Sequence, residues 1–425
     1  MGHNSYPSVP ILLIKERYDG ILGIGKILFG GAGMGKYNFD EIVDRKGHNS
    51  IKWAGMDMNG NTYDEDVLPM WIADMDFRVA DEILEGLRRP IDQGVLGYNY
   101  RPDSFYEAII DWVGERYNWK IEKEWILFIP GIVPGLGIAT RAYSKEGDGV
   151  LIQPPVYPPF YRVIENNRRV KVENQLFQNE DRYVMDLKDM EQKISENTKV
   201  ALFCNPHNPV GRVWSKEELE SYASICIEHG IIMVSDEIHC DLTFKGHKHT
   251  PLASISEETA MNTITFMAPS KTFNIPGLYA SVAIIPNETL RKAFNHEIEV
   301  MEITHTNIFS VAGFEAAYRY GGEWLKEALV YVEDNADFAV DYIRKNIPEI
   351  KVLKPEGTFL LWLDFTGLGK SSKELSDLLL NKGKILLNDG ATFGMGGEGF
   401  FRLNIGCPRK VLEEGLERIK MVIKY

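Results

Sequence analysis

The sequence predicts an α/β fold, with a large domain built on a mostly parallel sheet and a smaller α+β domain at the C-terminal end. Three observations predict it. Apolar runs alternate with segments of helical spacing from about residue 105 onward. Those runs are continuous, as in strands buried on both faces, which gives a βαβ rhythm. The 425 residues exceed the usual size of one domain, so a large domain and a smaller one are expected, each with its own core.

Residues 1–33 are rich in glycine and isolated apolar residues and follow neither a helical nor a strand period, so they are read as an appendage outside the fold. Met34 is read as the natural start. "GGAGMGK", Gly30 to Lys36, has the spacing of a phosphate-binding P-loop. Tyr37 stands where the magnesium-holding Ser or Thr belongs, however, and no strand precedes the stretch. A signal peptide is a poor match too, because the charges of Lys15 and Arg17 are followed by a glycine-broken, lysine-interrupted stretch. Residues 34–80 are expected to contribute to the small domain, 81–318 to form the large domain and 319–425 to complete the small one.

Within the large domain, "FYEAIIDWVGERY" (105–117) has helical spacing and "ILFIP" (126–130) reads as a short buried strand. "GVLIQPP" (149–155), "KVALFCNP" (199–206) and "GIIMVSDEI" (230–238) repeat the strand pattern, with helical "SKEELESYASICIEHG" (215–230) between the last two. "GTFLLWLDF" (357–365) and "GFFRLNIG" (399–406) are the strands of the smaller domain.

Apolar residues at 44% and charged residues at 25% match an ordinary soluble globular protein. A formal net charge of −14 argues against nucleic acid or an anionic membrane as partner and leaves a small molecule as the default ligand. The four cysteines, Cys204, Cys226, Cys240 and Cys407, form no C-x-x-C pair, so neither a zinc ribbon nor a disulfide framework is indicated, and a reducing cytoplasm is the expected setting. No apolar run approaches the roughly 18 to 20 residues of a membrane span. His247 and His249 in "KGHKH" alternate like a solvated strand edge or turn and lack a third ligand nearby, so no metal site is expected.

Ligands of parallel sheets sit beyond the carboxyl ends of the strands. Three polar residues fall there: Asn208 in "CNPHNPVG", Asp236 in "SDEIHCD" and Lys271 in "APSKTFNIPG". Each alone has an ordinary structural reading: a turn before Pro209, a helix cap and a solvated charge. Together, in this order and each behind an apolar strand, they suggest a site for pyridoxal phosphate. That chemistry needs a lysine to bind the cofactor and shuttle the α-proton, a carboxylate to keep the pyridine nitrogen protonated, and a neutral donor near the phenolic oxygen.

From about Tyr37 to the C-terminus the sequence resembles the fold type I pyridoxal-phosphate enzymes, the aspartate aminotransferase superfamily, and within it the MalY/PatB subgroup of cystathionine β-lyases. "LPMWIADMDF", "GVLGYNY", "CNPHNPVGRVW", "SDEIHCD", "SKTFNIPGL" and "FRLNIGCPR" carry the resemblance, in family order. It implies the aspartate aminotransferase-like fold. It also implies that Lys271 is the cofactor-binding lysine, Asp236 the partner of the pyridine nitrogen and Asn208 the donor to the phenolic oxygen. Tyr157 in "PPVYPPF" matches the aromatic that stacks on the ring. "PGIVPG" occupies the phosphate-loop position and has no hydroxyl, so the N–H groups of Ile132 and Val133 at a helix start would carry that contact, with Ser270 adding a hydroxyl.

Tyr98 in "LGYNY" matches a tyrosine that reaches the phosphate of the neighbouring subunit, which implies a homodimer. Arg402 in "FRLNIG" matches the arginine that clamps the substrate α-carboxylate. His239 stands three residues after the aspartate, where many aminotransferases have tyrosine and the β-lyase subgroup has histidine. Val210 replaces the threonine of the common "NPTG" motif, and "TFNIPGLYASVAI" offers no arginine for the phosphate.

The subgroup resemblance implies β-elimination of L-cystathionine or a related cysteine S-conjugate to thiol, pyruvate and ammonia. An aminotransferase on the same scaffold is the alternative, since most of the site is shared. A rival of another class is a regulator acting by contact, as the subgroup includes proteins that also modulate a transcription factor.

Overall fold

Seven strands carry the site: β1 (Ile126–Ile129), β2 (Gly149–Ile152), β3 (Val170–Glu173), β4 (Thr198–Cys204), β5 (Ile232–Asp236), β6 (Thr263–Met267) and β7 (Ser281–Ile284). The computed structural model describes residues 35–56, 60 and 62–423. The expectations for residues 1–33 and for Met34 lie outside the described residues. The unit that contains the sheet begins at Tyr37.

The sheet order is β1-β7-β6-β5-β4-β2-β3. The pairs β3 with β2, β2 with β4, β4 with β5 and β5 with β6 are parallel. β7 alone runs against both of its neighbours, β6 and β1. The sheet is therefore mostly parallel, as expected, and β6 returns directly into β7 through residues 268–280, the connection that contains Lys271.

Continuous apolar strands arise because both faces are covered. With a side-chain period of two, Val200 and Leu202 of β4 enter one core with Val150, Ile152 and Val234. Ala201 and Phe203 enter another, with Leu151, Met233 and Trp214. The helix between β4 and β5, Lys216–Glu228, starts in a capping box: Ser215 Oγ accepts from Glu218 N–H at 3.2 Å and Glu218 Oε2 accepts from Ser215 N–H at 2.8 Å.

A second sheet has four antiparallel strands, β8 (Lys351–Val352), β9 (Leu360–Asp364), β10 (Asn388–Asp389) and β11 (Phe400–Asn404), in the order β8-β9-β11-β10. The helices Gly322–Asn346 and Arg409–Ile423 pack with it. Leu68–Pro69 pairs in parallel with Ile385–Leu386. The segment after this pairing, residues 70–77, is then led between the two sheets. Met70 O accepts from Asn404 N–H at 3.0 Å and Asp76 N–H donates to Gly406 O at 2.8 Å.

No helix among the described residues is long and apolar enough to cross a membrane.

Candidate active site

Four strand ends converge on one cavity of about 240 Å³. β5 ends in Asp236 itself. The connection after β4 carries Asn208, the short helix Pro269–Thr272 after β6 carries Ser270 and Lys271, and the helix Ile132–Tyr143 starts just past the end of β1. Lys271, Asp236, Asn208 and Tyr157 line the cavity together. Ile132, Val133, Ser270 and His239 line it too.

Lys271 is part-buried, and its Nζ donates to the backbone O of Ala73. Burial pulls its amine down to about 8, opposed by the Asp74 carboxylate and reinforced by the Arg402 charge. A large neutral fraction is thus present near neutral pH. Asp236 is buried, with Oδ1 accepting from Ile238 N–H at 3.1 Å. Burial pushes its carboxyl up to about 7. Among the described residues no ion pair holds it, so it is a carboxylate built to receive a cationic or N–H partner.

Arg402, also buried, donates from Nη1 to Asn208 Oδ1 at 3.0 Å and from Nη2 to Trp71 O at 2.9 Å and Asn388 Oδ1 at 2.5 Å. Its Cζ lies 5.1 Å from the Phe393 ring centroid, and its Nε is buried without a partner. Burial lowers the guanidinium to about 10, so the charge persists at neutral pH. With Oδ1 of Asn208 engaged by Arg402, that amide has only its Nδ2 donor to offer the cavity.

His239 packs against Phe359 at 5.8 Å between centroids, and its Nδ1 is buried without a partner. Burial first, then the Lys271 and Arg402 charges, press it down to about 3, which leaves a neutral imidazole. Burial raises the Tyr157 hydroxyl, which stays protonated. Cys204 also lines the cavity. Its Sγ accepts from Asn208 N–H at 3.5 Å, and burial, then the Asp236 charge, raise its thiol well above the ordinary value.

At the helix Ile132–Tyr143 no side chain caps the N-terminus, and Gly131 precedes it at φ +149°. The first N–H groups, those of Ile132 and Val133, therefore face the cavity wall as an anion-binding site, while Pro134 has no N–H to offer.

Tyr98 is not brought to this cavity. Its side chain is 100% exposed, and its ring lies 5.8 Å from that of His305. One expectation is corrected. His249 is not solvated: it is buried, with Nε2 at 2.8 Å from Glu237 Oε2, whereas His247 is exposed. The residues after Lys248 turn inward, so that Leu252 N–H also donates to Glu237 Oε1 at 3.0 Å. Glu237 is fully buried, and the imidazole and this N–H satisfy it.

Sequence reasoning missed Ala73, Trp71 and Asn388, which hold the two cations, and Ser281, a hydroxyl on the cavity wall. Backbone carbonyls leave no side-chain signature, although the quoted "LPMWIADMDF" contains two of them. Ser281 was legible only as the first residue of a strand.

The comparisons agree with this geometry. The chain is 43% identical over 388 residues to the cystathionine beta-lyase PatB of Bacillus subtilis, covering 91% of this chain and 100% of that one. Cystalysin from Treponema denticola, solved with pyridoxal 5'-phosphate, superposes with a TM-score of 0.87 at 37% identity, over 91% of this chain and 99% of that one. The PLP-bound C–S lyase from Staphylococcus hominis gives a TM-score of 0.84 at 34% identity, again over 91% and 99%. The family model for aminotransferase class I and II matches residues 56–419, and with the aspartate aminotransferase-like fold and a lysine, a carboxylate and an amide gathered at the strand ends, the chain belongs to that family.

Proposed function

We propose that this protein is a pyridoxal phosphate-dependent carbon–sulfur β-lyase that cleaves L-cystathionine or a related cysteine S-conjugate to a thiol, pyruvate and ammonia. The observation that carries the reading is the 43% identity along the whole of a cystathionine β-lyase. The side-chain chemistry supports it. A buried carboxylate without an ion-pair partner, an uncapped helix start and a buried guanidinium with no acidic partner fit the pyridine nitrogen, the phosphate and an amino-acid carboxylate in turn.

Pyridoxal phosphate, when bound, supplies an electron sink for the carbanion at the substrate's Cα. Lys271 Nζ binds the cofactor and, once free, takes the α-proton from the substrate; its lowered pKa keeps it unprotonated for that task. Asp236 holds the pyridine N–H, and this partner stabilises its charge against burial. Asn208 donates to the phenolic oxygen, Tyr157 covers the ring face and His239 remains a neutral neighbour. Ile132 and Val133 N–H groups and the Ser270 hydroxyl hold the phosphate. Arg402 orients the substrate through its carboxylate, leaving Cβ and its sulfur free to depart.

Tyr98, exposed on its own chain, is read as serving a second copy, so the working unit is a homodimer. Four buried cysteines without disulfides accord with a cytoplasmic setting.

The test is a product assay of purified protein with pyridoxal phosphate and L-cystathionine, without any keto acid. Sustained and equal release of pyruvate and free thiol is expected. Turnover only when a keto acid is added, with no thiol released, would make the protein an aminotransferase.

A further inference from the structure

Asn404 ends β11 and is 1% exposed, two residues from Arg402 on the same strand. Its Nδ2 donates to Ile72 O and to Asp74 O, each at 2.6 Å, and its Oδ1 accepts from Gly406 N–H at 2.8 Å. One amide side chain therefore holds the carbonyls on either side of Ala73. It uses both of its N–H bonds and its oxygen, so no polar atom is left over to serve substrate or cofactor.

The Ala73 carbonyl between these two clamps accepts from Lys271 Nζ. A peptide whose neighbours on both sides are pinned cannot rotate its own carbonyl away without breaking one of those bonds. The same segment presents Trp71 O to Arg402 Nη2 at 2.9 Å. Its far end is fixed independently: Asn274 Oδ1 accepts from Met75 N–H at 2.9 Å, and Asn274 Nδ2 donates to Met75 O and Phe77 O, also at 2.9 Å. Loss of the Asn404 clamp would thus act locally, around Ala73, and leave the segment anchored.

We propose that Asn404 is a positioning residue: by clamping the carbonyls of Ile72 and Asp74 it holds the Ala73 carbonyl as the docking point for the Lys271 amine whenever that amine is not joined to the cofactor. The inference rests on the reading of Lys271 as the lysine that binds the cofactor and moves the α-proton. A carbonyl acceptor favours the charged amine, so it opposes the desolvation that lowers the Lys271 pKa. Asn404 then sets how readily Lys271 gives up and regains a proton, without touching the reacting atoms.

The lead variant is Asn404→Ser, because a serine hydroxyl can keep the contact with Gly406 N–H while the double donor is lost. The full chain is stripped of cofactor and the rate of pyridoxal phosphate capture is followed by absorbance from pH 6 to pH 10. The variant is expected to capture it with a midpoint about one pH unit lower than wild type, since a hydrogen bond to a charged group is worth about that much. The acidic limb of kcat in the holoenzyme should move in the same direction. An unchanged midpoint in a variant with the wild-type near-ultraviolet circular dichroism would overturn the proposal. If Asn404→Ser does not fold, Asn404→Gln carries the same test, since the longer side chain keeps an amide but cannot reach both carbonyls; an unchanged midpoint there counts equally against it. Failure of the wild-type protein to capture the cofactor would instead overturn the reading of Lys271 itself.

Discussion

Arg402 Nη1 donates to Asn208 Oδ1 at 3.0 Å, which joins the side chain proposed to grip the substrate to the side chain proposed to grip the cofactor. Both are buried, and they arrive from different sheets, Arg402 on β11 and Asn208 after β4. A change at either one alters the orientation of the other.

Arg402→Lys should show this coupling. The guanidinium reaches Asn208 Oδ1, Trp71 O and Asn388 Oδ1 at once through a rigid fork, which an ammonium cannot reproduce. Steady-state kinetics on L-cystathionine should show kcat/KM reduced by about 100-fold, with most of the loss in KM. A KM within twofold of wild type would assign the substrate carboxylate to another group.

Lys271→Met should stabilise the cofactor-free protein near neutral pH. The amine falls from 10.5 to about 8 on folding, chiefly through burial. Below pH 8 it is charged in both folded and unfolded states and the burial cost is fully present. Between pH 8 and pH 10.5 the folded form binds fewer protons than the unfolded one, so stability rises with pH across that window. Urea unfolding of the cofactor-free variant at pH 7 should show a gain of about 2 kcal/mol, shrinking towards zero above pH 10. A gain that does not vary with pH would show that the amine is not the cause.

Lys52→Met should have the opposite sign. Lys52 is 1% exposed, and its Nζ pairs with Asp76 Oδ2 at 2.5 Å, while Arg45 Nη1 pairs with Asp76 Oδ1 at 2.6 Å. Burial alone would push the Asp76 carboxyl up, but Lys52 and Arg45 outweigh it and hold it below the usual range. Stability from this group is present above the ordinary carboxylate pKa and is lost as pH falls through the depressed value. Removing the ammonium leaves a buried carboxylate short of charge, at a cost of about 3 kcal/mol, and moves acid unfolding to higher pH. The double variant Lys52→Met/Asp76→Leu should regain most of the loss in thermal unfolding. No recovery would show that Lys52 acts through packing alone.

The large sheet and the strand-end residues were legible because each rests on a local signal. Asp236 and Asn208 directly follow runs that are apolar at every position, and Lys271 sits in a Pro- and Gly-marked connection between two more. The antiparallel turn into β7 was not legible, since a buried strand has no sequence mark of its direction. His249 was misread because its burial depends on Glu237, which lies twelve residues earlier and belongs to the strand end rather than to the loop. Tyr98 was recognised by resemblance, but on its own chain it meets only His305 among aromatic partners. The role of Ala73 was invisible for a different reason: an alanine says nothing about where its carbonyl points.

Cys204 lies against the cavity, yet its sulfur is held as a neutral thiol by burial and by the neighbouring carboxylate. Thiol–disulfide exchange requires the thiolate. An enzyme that releases thiols in its own interior is exposed, turnover after turnover, to the oxidised forms of its product. The same environment that raises Cys204 makes that sulfur a poor nucleophile towards them, so the cavity wall is chemically inert to what passes through it.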